Sequence, residues 1–258
     1  KVFREERRPG VFIVIDRRNS MRFGTRNRLK VTQALRVATC LAFAAEQRHA
    51  SIGGAILNAE NTKLDWYKES ANEQTGLALI HAANTPCPPA PIEPDKPAEE
   101  CQLSNTLNSL QASLFAGSEL YLISDFIDLG PTQRGQLLQL AAEHTVHAIH
   151  ISDPSEQKLP SIGNVQFQTS ENEATGPLDT ESTELQSQYA TLAKKHFMER
   201  RQLSQDLGIR YTAISTTQGA VSRTGTTCAN RHTNRTDRNR QRRFCRRATT
   251  RRFAPNRR

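Results

Sequence analysis

Short, continuous apolar runs are the most prominent pattern along the chain. Two of them, residues 11–15 and 120–123, each lead into an aspartate, Asp16 and Asp125. Runs of Val, Ile, Leu and Phe without polar alternation are typical of strands covered on both faces, as in a parallel sheet between helices. Ligands of such sheets bind beyond the carboxyl ends of the strands. The pattern predicts that both carboxylates lie at one such edge, although each aspartate alone is equally compatible with a cap of the following helix.

Further segments complete an α/β pattern. Four more apolar stretches are predicted as strands: residues 51–57, 63–68 (a short edge strand), 146–151 and 210–215. Segments with three- and four-residue apolar spacing are predicted as helices: residues 29–45, 77–83, 105–114, 132–143 and 183–207. This alternation predicts a doubly wound, mostly parallel six-stranded α/β sheet with helices on both faces and the first and fourth strands adjacent. Six prolines between Thr85 and Glu100 predict a solvated loop near the rim.

The net charge of +9 is concentrated at the end of the chain. Residues 219–258 contain thirteen arginines, no lysine and one acid, Asp237, and so carry +12, which leaves −3 for residues 1–218. The sequence predicts a domain over residues 1–218 and an Arg-rich disordered tail over residues 219–258. Two interpretations of the tail stay open. It is either translated out of frame, since natural basic arms usually also contain lysine, or an arm that binds nucleic acid through its phosphates.

Cysteine usage and hydropathy bear on location. The five cysteines are an odd number without CxxC spacing, which favours a reducing compartment. No apolar stretch approaches the roughly 20 residues that a membrane helix needs, and no secretory signal is visible. These features predict a cytoplasmic protein without a membrane segment in this stretch. Because the chain opens at Lys1 shortly before a core strand, we expect a fragment of a longer protein, whose full length is still compatible with membrane association.

The loop after the first strand reads D-R-R-N-S-M-R-F-G-T from Asp16 to Thr25. It resembles the metal-site loop D-x-S-x-S of von Willebrand factor A domains. More specifically, it resembles the bacterial branch known as domain of unknown function number fifty-eight, whose genes often neighbour MoxR-type AAA+ ATPases. Three further segments occur in the same order as in that family. They are R-E-E at residues 4–6, S-D-F at residues 124–126, and D-P-S-E at residues 153–156, which is followed by Leu-Pro.

The resemblance implies a metal site made of oxygen ligands from three loops. By position, Asp16, Ser20, Ser104 and Asp125 match the family's ligands. Carboxylates and hydroxyls are hard donors that suit Mg²⁺ or Mn²⁺, and a cation between two aspartates would relieve their repulsion. In von Willebrand A domains a carboxylate of the partner fills the open position, so the implied site is a docking device rather than a catalyst.

One residue departs from the family pattern. The middle serine of D-x-S-x-S is Arg18, which would place a permanent positive charge where the cation is expected. The guanidinium could instead pair with Asp16 or Asp125 and replace the metal by an ion pair. Both a metal site and a metal-free site therefore stay open.

No arrangement in the chain predicts an enzyme. Phosphate-loop, nucleophile-elbow and Cys/His patterns are missing from the sequence, and His144, His147 and His150 at the end of a helix and along a strand would face different sides. The leading hypothesis is a protein-interaction module that works with an AAA+ ATPase or its client and takes no small-molecule substrate. The alternatives are nucleic-acid binding through the tail and, third, a metal-dependent hydrolase at the two aspartates, which lack an accompanying base.

Overall fold

The computed structural model of the chain describes residues 10–59, 63–87, 101–165 and 177–219. The Arg-rich tail after Gly219 and most of the proline-rich loop, from residue 88 to 100, lie outside these residues. The strands are β1 (Val11–Arg17), β2 (Ile52–Asn58), β3 (Asp65–Ser70), β4 (Glu119–Ser124), β5 (Thr145–Ser152), β6 (Asn164–Val165), β7 (Leu178–Asp179) and β8 (Arg210–Ser215). The α-helices are α1 (Lys30–Gln47), α2 (Glu73–Ala83), α3 (Leu103–Ser113), α4 (Arg134–Glu143) and α5 (Thr183–Asp206).

Six strands form one sheet in the order β3-β2-β1-β4-β5-β8, and β6 pairs only with β7. Every pairing in the large sheet is parallel except that of the edge strand β3 with β2. The predicted doubly wound, mostly parallel six-stranded sheet is confirmed, and so is the adjacency of the first and fourth strands. The order reverses between β1 and β4, where folds of this kind leave a crevice at the carboxyl edge.

The apolar runs form strands because both of their faces are covered. Helices α3 and α4 contribute Leu107 and Leu140 to a core that also contains Phe12 and Leu122 from the sheet. Helix α1 packs against β1 from the other side, where Ile13 is fully buried. The absence of polar alternation in these strands follows from burial on both faces.

The glycines of β2 allow close packing around this strand. A Cβ atom on Gly54 would lie only 2.4 Å from Leu79 Cδ2 and 2.5 Å from the carbonyl oxygen of Ile13. On Gly53 it would lie 2.8 Å from the backbone of Glu69 in β3. Glycine at these two positions therefore permits the close approach of neighbouring strands and of α2.

Candidate docking site at the carboxyl edge of the sheet

The register of the two central strands brings the predicted aspartates to one edge. Ile15 of β1 lies opposite Ile123 of β4, so Asp16 and Ser124 follow side by side, and Asp125 comes next. Both aspartates are buried. This placement agrees with the expectation drawn from the two apolar runs.

Asp16 is fully engaged by hydrogen bonds. Arg18 donates to its carboxylate from the backbone N–H at 2.9 Å, from Nε at 3.1 and 3.2 Å, and from Nη2 at 2.8 Å. The Ser124 hydroxyl donates to Oδ2 at 2.6 Å. A carboxylate has about four lone-pair sites, and these four donor groups occupy them.

The other side of the Arg18 guanidinium binds Asp128 in a two-bond arrangement. Nη1 lies 2.6 Å from Oδ2 and Nη2 lies 3.0 Å from Oδ1. Burial opposes the charge on Arg18, but the hydrogen bonds to Asp128 and Asp16 outweigh it and raise the pKa of the guanidinium further. Asp128 also accepts a bond of 3.1 Å from the N–H of Leu103, which ties the start of α3 to the same ion pair.

Asp125 is compensated by a lysine from α1. Nζ of Lys30 lies 2.7 Å from Asp125 Oδ2 and 2.5 Å from Glu156 Oε1, and only 2% of the lysine is exposed. Burial alone would raise the pKa of Asp125, but the charge and hydrogen bond of Lys30 lower it. Burial likewise opposes the charge on Lys30, and the two carboxylates raise its pKa above the usual value.

A third buried carboxylate joins two further loops. Asp153, after β5, accepts hydrogen bonds from the N–H and hydroxyl of Thr25 and, at 2.7 Å, from the hydroxyl of Thr216 after β8. Burial acts to raise the pKa of Asp153, but these hydroxyl and backbone donors hold it well below its usual range. The loops after β1, β5 and β8 are thus fixed to one another.

The two hydroxyl positions of the predicted metal site differ in their surroundings. Ser20 lies near enough to help lower the pKa of Asp125, yet its buried Oγ makes no hydrogen bond of normal geometry. Ser104, the second residue of α3, accepts a bond at its backbone carbonyl from Gln136 Nε2. Within the described residues, no hydrogen bond links the Ser104 hydroxyl to either aspartate.

The four predicted ligands, as they lie, do not fit a divalent cation. Mg²⁺ needs about six oxygen donors with free lone pairs. Arg18 and Ser124 take those of Asp16, and Lys30 takes one oxygen of Asp125. The Ser20 hydroxyl and Oδ1 of Asp125 keep unused lone pairs, but Asp16, the first ligand of the family's site, has none left for a metal. The Mg²⁺ or Mn²⁺ site thus stays a prediction of the resemblance alone, and the hydrogen bonds to Asp16 speak against it.

Exposed apolar side chains lie on the segments that follow β1, β4 and β5. The loop after β1 carries Phe23 (45% exposed) and Leu29, the loop after β4 carries Ile127 (63%), and the segment after β5 carries Ile162 (64%). Phe23 lies over the network, with its ring centroid 6.0 Å from Lys30 Nζ. The segments that follow three neighbouring strands therefore each expose at least one large apolar residue, and Phe23 and Ile127 lie beside the charged network.

A groove of about 1060 Å³ opens beside the same edge. Asp125 and Glu156 line it together with apolar residues of α5 such as Leu192 and Phe197. Its floor includes His150, whose Nδ1 is hydrogen-bonded to the hydroxyl of Tyr211. Burial lowers the pKa of His150 to about 4, so this ring is uncharged at neutral pH.

The histidines of β5 lie on opposite faces of the sheet. His147 stacks on Tyr121 at 4.5 Å between ring centroids, whereas His150 stacks on Phe197 of α5 at 5.6 Å. His144 lies before the strand, at the end of α4. This arrangement is the one that strand alternation predicts, and it separates the three rings.

Comparison with known proteins places the chain among bacterial relatives. Residues 1–199 match the family described as "Protein of unknown function DUF58". An uncharacterized protein of Mycobacterium avium, MAV169, is 32% identical over 126 residues, which make up 48% of this chain and 68% of that protein.

Two solved structures share the fold at low sequence identity. The conserved hypothetical protein BatB from Bacteroides thetaiotaomicron superposes with a TM-score of 0.50 at 12% identity, over 80% of this chain and 90% of that one. An aerotolerance-related membrane protein from Bacteroides fragilis gives a TM-score of 0.51 at 13% identity, over 81% and 92%. Among the described residues of this chain, no helix is long and apolar enough to cross a membrane.

Proposed function

We propose that this chain, which belongs to the DUF58 family, is a non-enzymatic protein-interaction module that docks a partner at the carboxyl edge of its sheet. The observation that carries the proposal is that the exposed apolar residues Phe23 and Ile127 lie beside a rigid, charged centre. Interfaces of this kind combine apolar anchors with polar groups that fix orientation. Exposed large side chains on three adjacent loops suit such an anchor.

The rigidity of the edge supports docking rather than catalysis. The ion pairs of Arg18 and Lys30 and the bonds of Asp153 connect the loops after β1, β4, β5 and β8. A preorganised surface loses little conformational entropy when a partner binds. Asp16, Asp125, Asp128 and Glu156 are paired with Arg18 or Lys30, and Asp153 is held by hydroxyl and backbone donors, so each carboxylate of the network is already engaged.

A MoxR-type AAA+ ATPase, or a client that it acts on, is the partner we propose. This choice rests on the family resemblance of the D-R-R-N-S-M-R-F-G-T loop. We propose that the interaction takes place in the cytoplasm. Assembly or maturation of a client protein would be the process served.

The test is binding of the purified MoxR-type AAA+ ATPase of the same organism, measured by biolayer interferometry. We expect Phe23→Ser and Ile127→Ser each to weaken binding by about ten-fold or more, as loss of an interface anchor does. Phe115→Ser is the matched control, because Phe115 is 54% exposed but precedes β4 at the opposite edge. Equal affinity of all three variants would rule out the carboxyl edge as the docking face. No binding by the parent would rule out the ATPase as the partner.

A further inference from the structure

We propose that Arg18 and Lys30 permanently take the place of the divalent cation, so that this chain docks its partner without metal. The docking itself rests on the function proposed above, whereas the exclusion of metal is a property of the chain alone. Nothing in the family match assigns this role to the two side chains.

The first part of the argument is the occupancy of Asp16. Three donor groups of Arg18 and the Ser124 hydroxyl hold both carboxylate oxygens at 2.6 to 3.2 Å. Two-pronged guanidinium–carboxylate contacts are among the strongest hydrogen bonds in proteins. A metal ion would need Asp16 as a direct ligand and would have to remove the guanidinium first.

The second part is that the guanidinium has no alternative position with equal compensation. Its far side is held by Asp128, and the residue is buried. If a dication entered beside Asp16 while Arg18 kept its bond to Asp128, two positive groups would lie side by side in a region of low dielectric. If Arg18 left completely, the partly exposed carboxylate of Asp128 would lose its charge partner, and the buried carboxylate of Asp16 would lose its own.

The third part is the independent occupancy of Asp125. Lys30 reaches this carboxylate from the first turn of α1 and also binds Glu156. The amino group is a compact cation, and it supplies the positive charge that two neighbouring aspartates require. Arg18 compensates one aspartate of the predicted site and Lys30 compensates the other.

The arrangement also changes the charge that the site presents to a partner. An open metal site exposes a cation, but here both cations are buried, while the side chains of Asp128 and Glu156 are 34% and 35% exposed. Carboxylate oxygens are acceptors only. The partner group at this centre is therefore a hydrogen-bond donor, such as a lysine or arginine, rather than a carboxylate.

Calorimetric titration of Mn²⁺ into the full chain tests the exclusion of metal and needs no partner. We expect no saturable heat from the parent. Arg18→Ser restores the D-x-S-x-S pattern, and we expect at least about a ten-fold gain in Mn²⁺ affinity that Asp16→Ala in the same background removes. Arg26→Ser is the matched control, because it removes one positive charge from an exposed position of the same loop.

Four results separate the inference from the proposed function. Stoichiometric Mn²⁺ binding by the parent that Asp16→Ala abolishes would overturn the inference, and this measurement holds even if Arg18→Ser does not fold. A folded Arg18→Ser chain that binds Mn²⁺ no better than Arg26→Ser would also overturn it. Partner binding that persists in EDTA and weakens with Asp128→Asn would support the inference. Partner binding that EDTA abolishes, in the parent and in Arg26→Ser alike, would leave docking intact and refute the metal-free mechanism.

Discussion

Helices α1 and α5 cover the sheet to very different extents. Nine of the 18 residues of α1 are buried, including Lys30 at its start, whereas Ser204 is the one buried residue among the 24 of α5. Both helices show regular apolar spacing in the sequence. The difference teaches that periodicity identifies a helix and its apolar face but does not say how tightly that face is covered.

The two helices consequently have different expected roles. Helix α1 fills the space against β1 and places a buried ammonium in the charged network at the carboxyl edge. Helix α5 leaves Leu192 56% exposed along a groove that begins at Asp125 and Glu156. Substitutions in α1 should therefore cost stability, whereas substitutions on the groove side of α5 should leave stability almost unchanged.

The largest expected effect is that of Lys30→Met. It leaves the buried carboxylate of Asp125 without its cation, and breaking a buried pair from one side costs about 3–5 kcal/mol. The control is Lys195→Met on α5, where the lysine side chain is 67% exposed and the expected change is within about 0.5 kcal/mol. Urea denaturation at neutral pH measures both, and equal effects would remove the contrast between the two helices.

A leucine pair tests the same contrast without charge. Leu41 of α1 is buried, so Leu41→Ala should lower the free energy of unfolding by about 2–5 kcal/mol through lost burial and a cavity. Leu192→Ala should change it by no more than about 0.5 kcal/mol. If both cost the same, α5 is packed more closely than its exposure implies.

The pH dependence of the unfolding free energy compares the two faces of the sheet, because His147 lies on one face and His150 lies on the face covered by α5. Burial lowers the pKa values of His147 and His150 to about 4, whereas an unfolded histidine has a pKa of about 6.5. The unfolded state therefore takes up protons first, and stability falls as pH drops from about 6.5 to about 4, by about 3 kcal/mol per histidine. His147→Gln should remove about half of this loss, and so should His150→Gln on the α5 face. An unfolding free energy that stays constant between pH 7 and pH 5 would contradict these pKa values.

The sheet was predictable because a continuous apolar run bounded by turn residues is typical of a strand buried on both faces. Both central strands and their adjacency followed from such runs, and the loop motif identified Asp16 and Arg18 as neighbours in one site. The pairing of Arg18 with Asp16 was one of the two open alternatives, and the hydrogen bonds described above have this form. The edge position of β3 followed equally from local sequence.

The rest of the charged network was not predictable, because it depends on contacts between distant segments. Asp128 is 110 residues away from Arg18 along the chain, and Lys30 is 95 residues away from Asp125. A lysine at the start of a helix normally reaches solvent, so burial of Lys30 leaves no local signal. Two weak hints existed: Asp128 follows Asp125 by three residues, and Glu156 belongs to the D-P-S-E string.

Ser104 stays a prediction of the family resemblance. The resemblance placed it among the metal ligands, but what ties the start of α3 to the site is the backbone N–H of Leu103, through Asp128. Position along a motif fixes the segment that approaches a site. It does not by itself reveal a backbone contact such as that of Leu103 with Asp128.

The most direct test of the central claim is a crystal structure of the chain grown with Mn²⁺, with an anomalous difference map recorded at the manganese edge. The account predicts no peak between Asp16 and Asp125, with the Arg18 guanidinium bonded to both Asp16 and Asp128 and Lys30 bonded to Asp125. A manganese peak within coordination distance of Asp16 and Ser20, with Arg18 turned away from the edge, would contradict it.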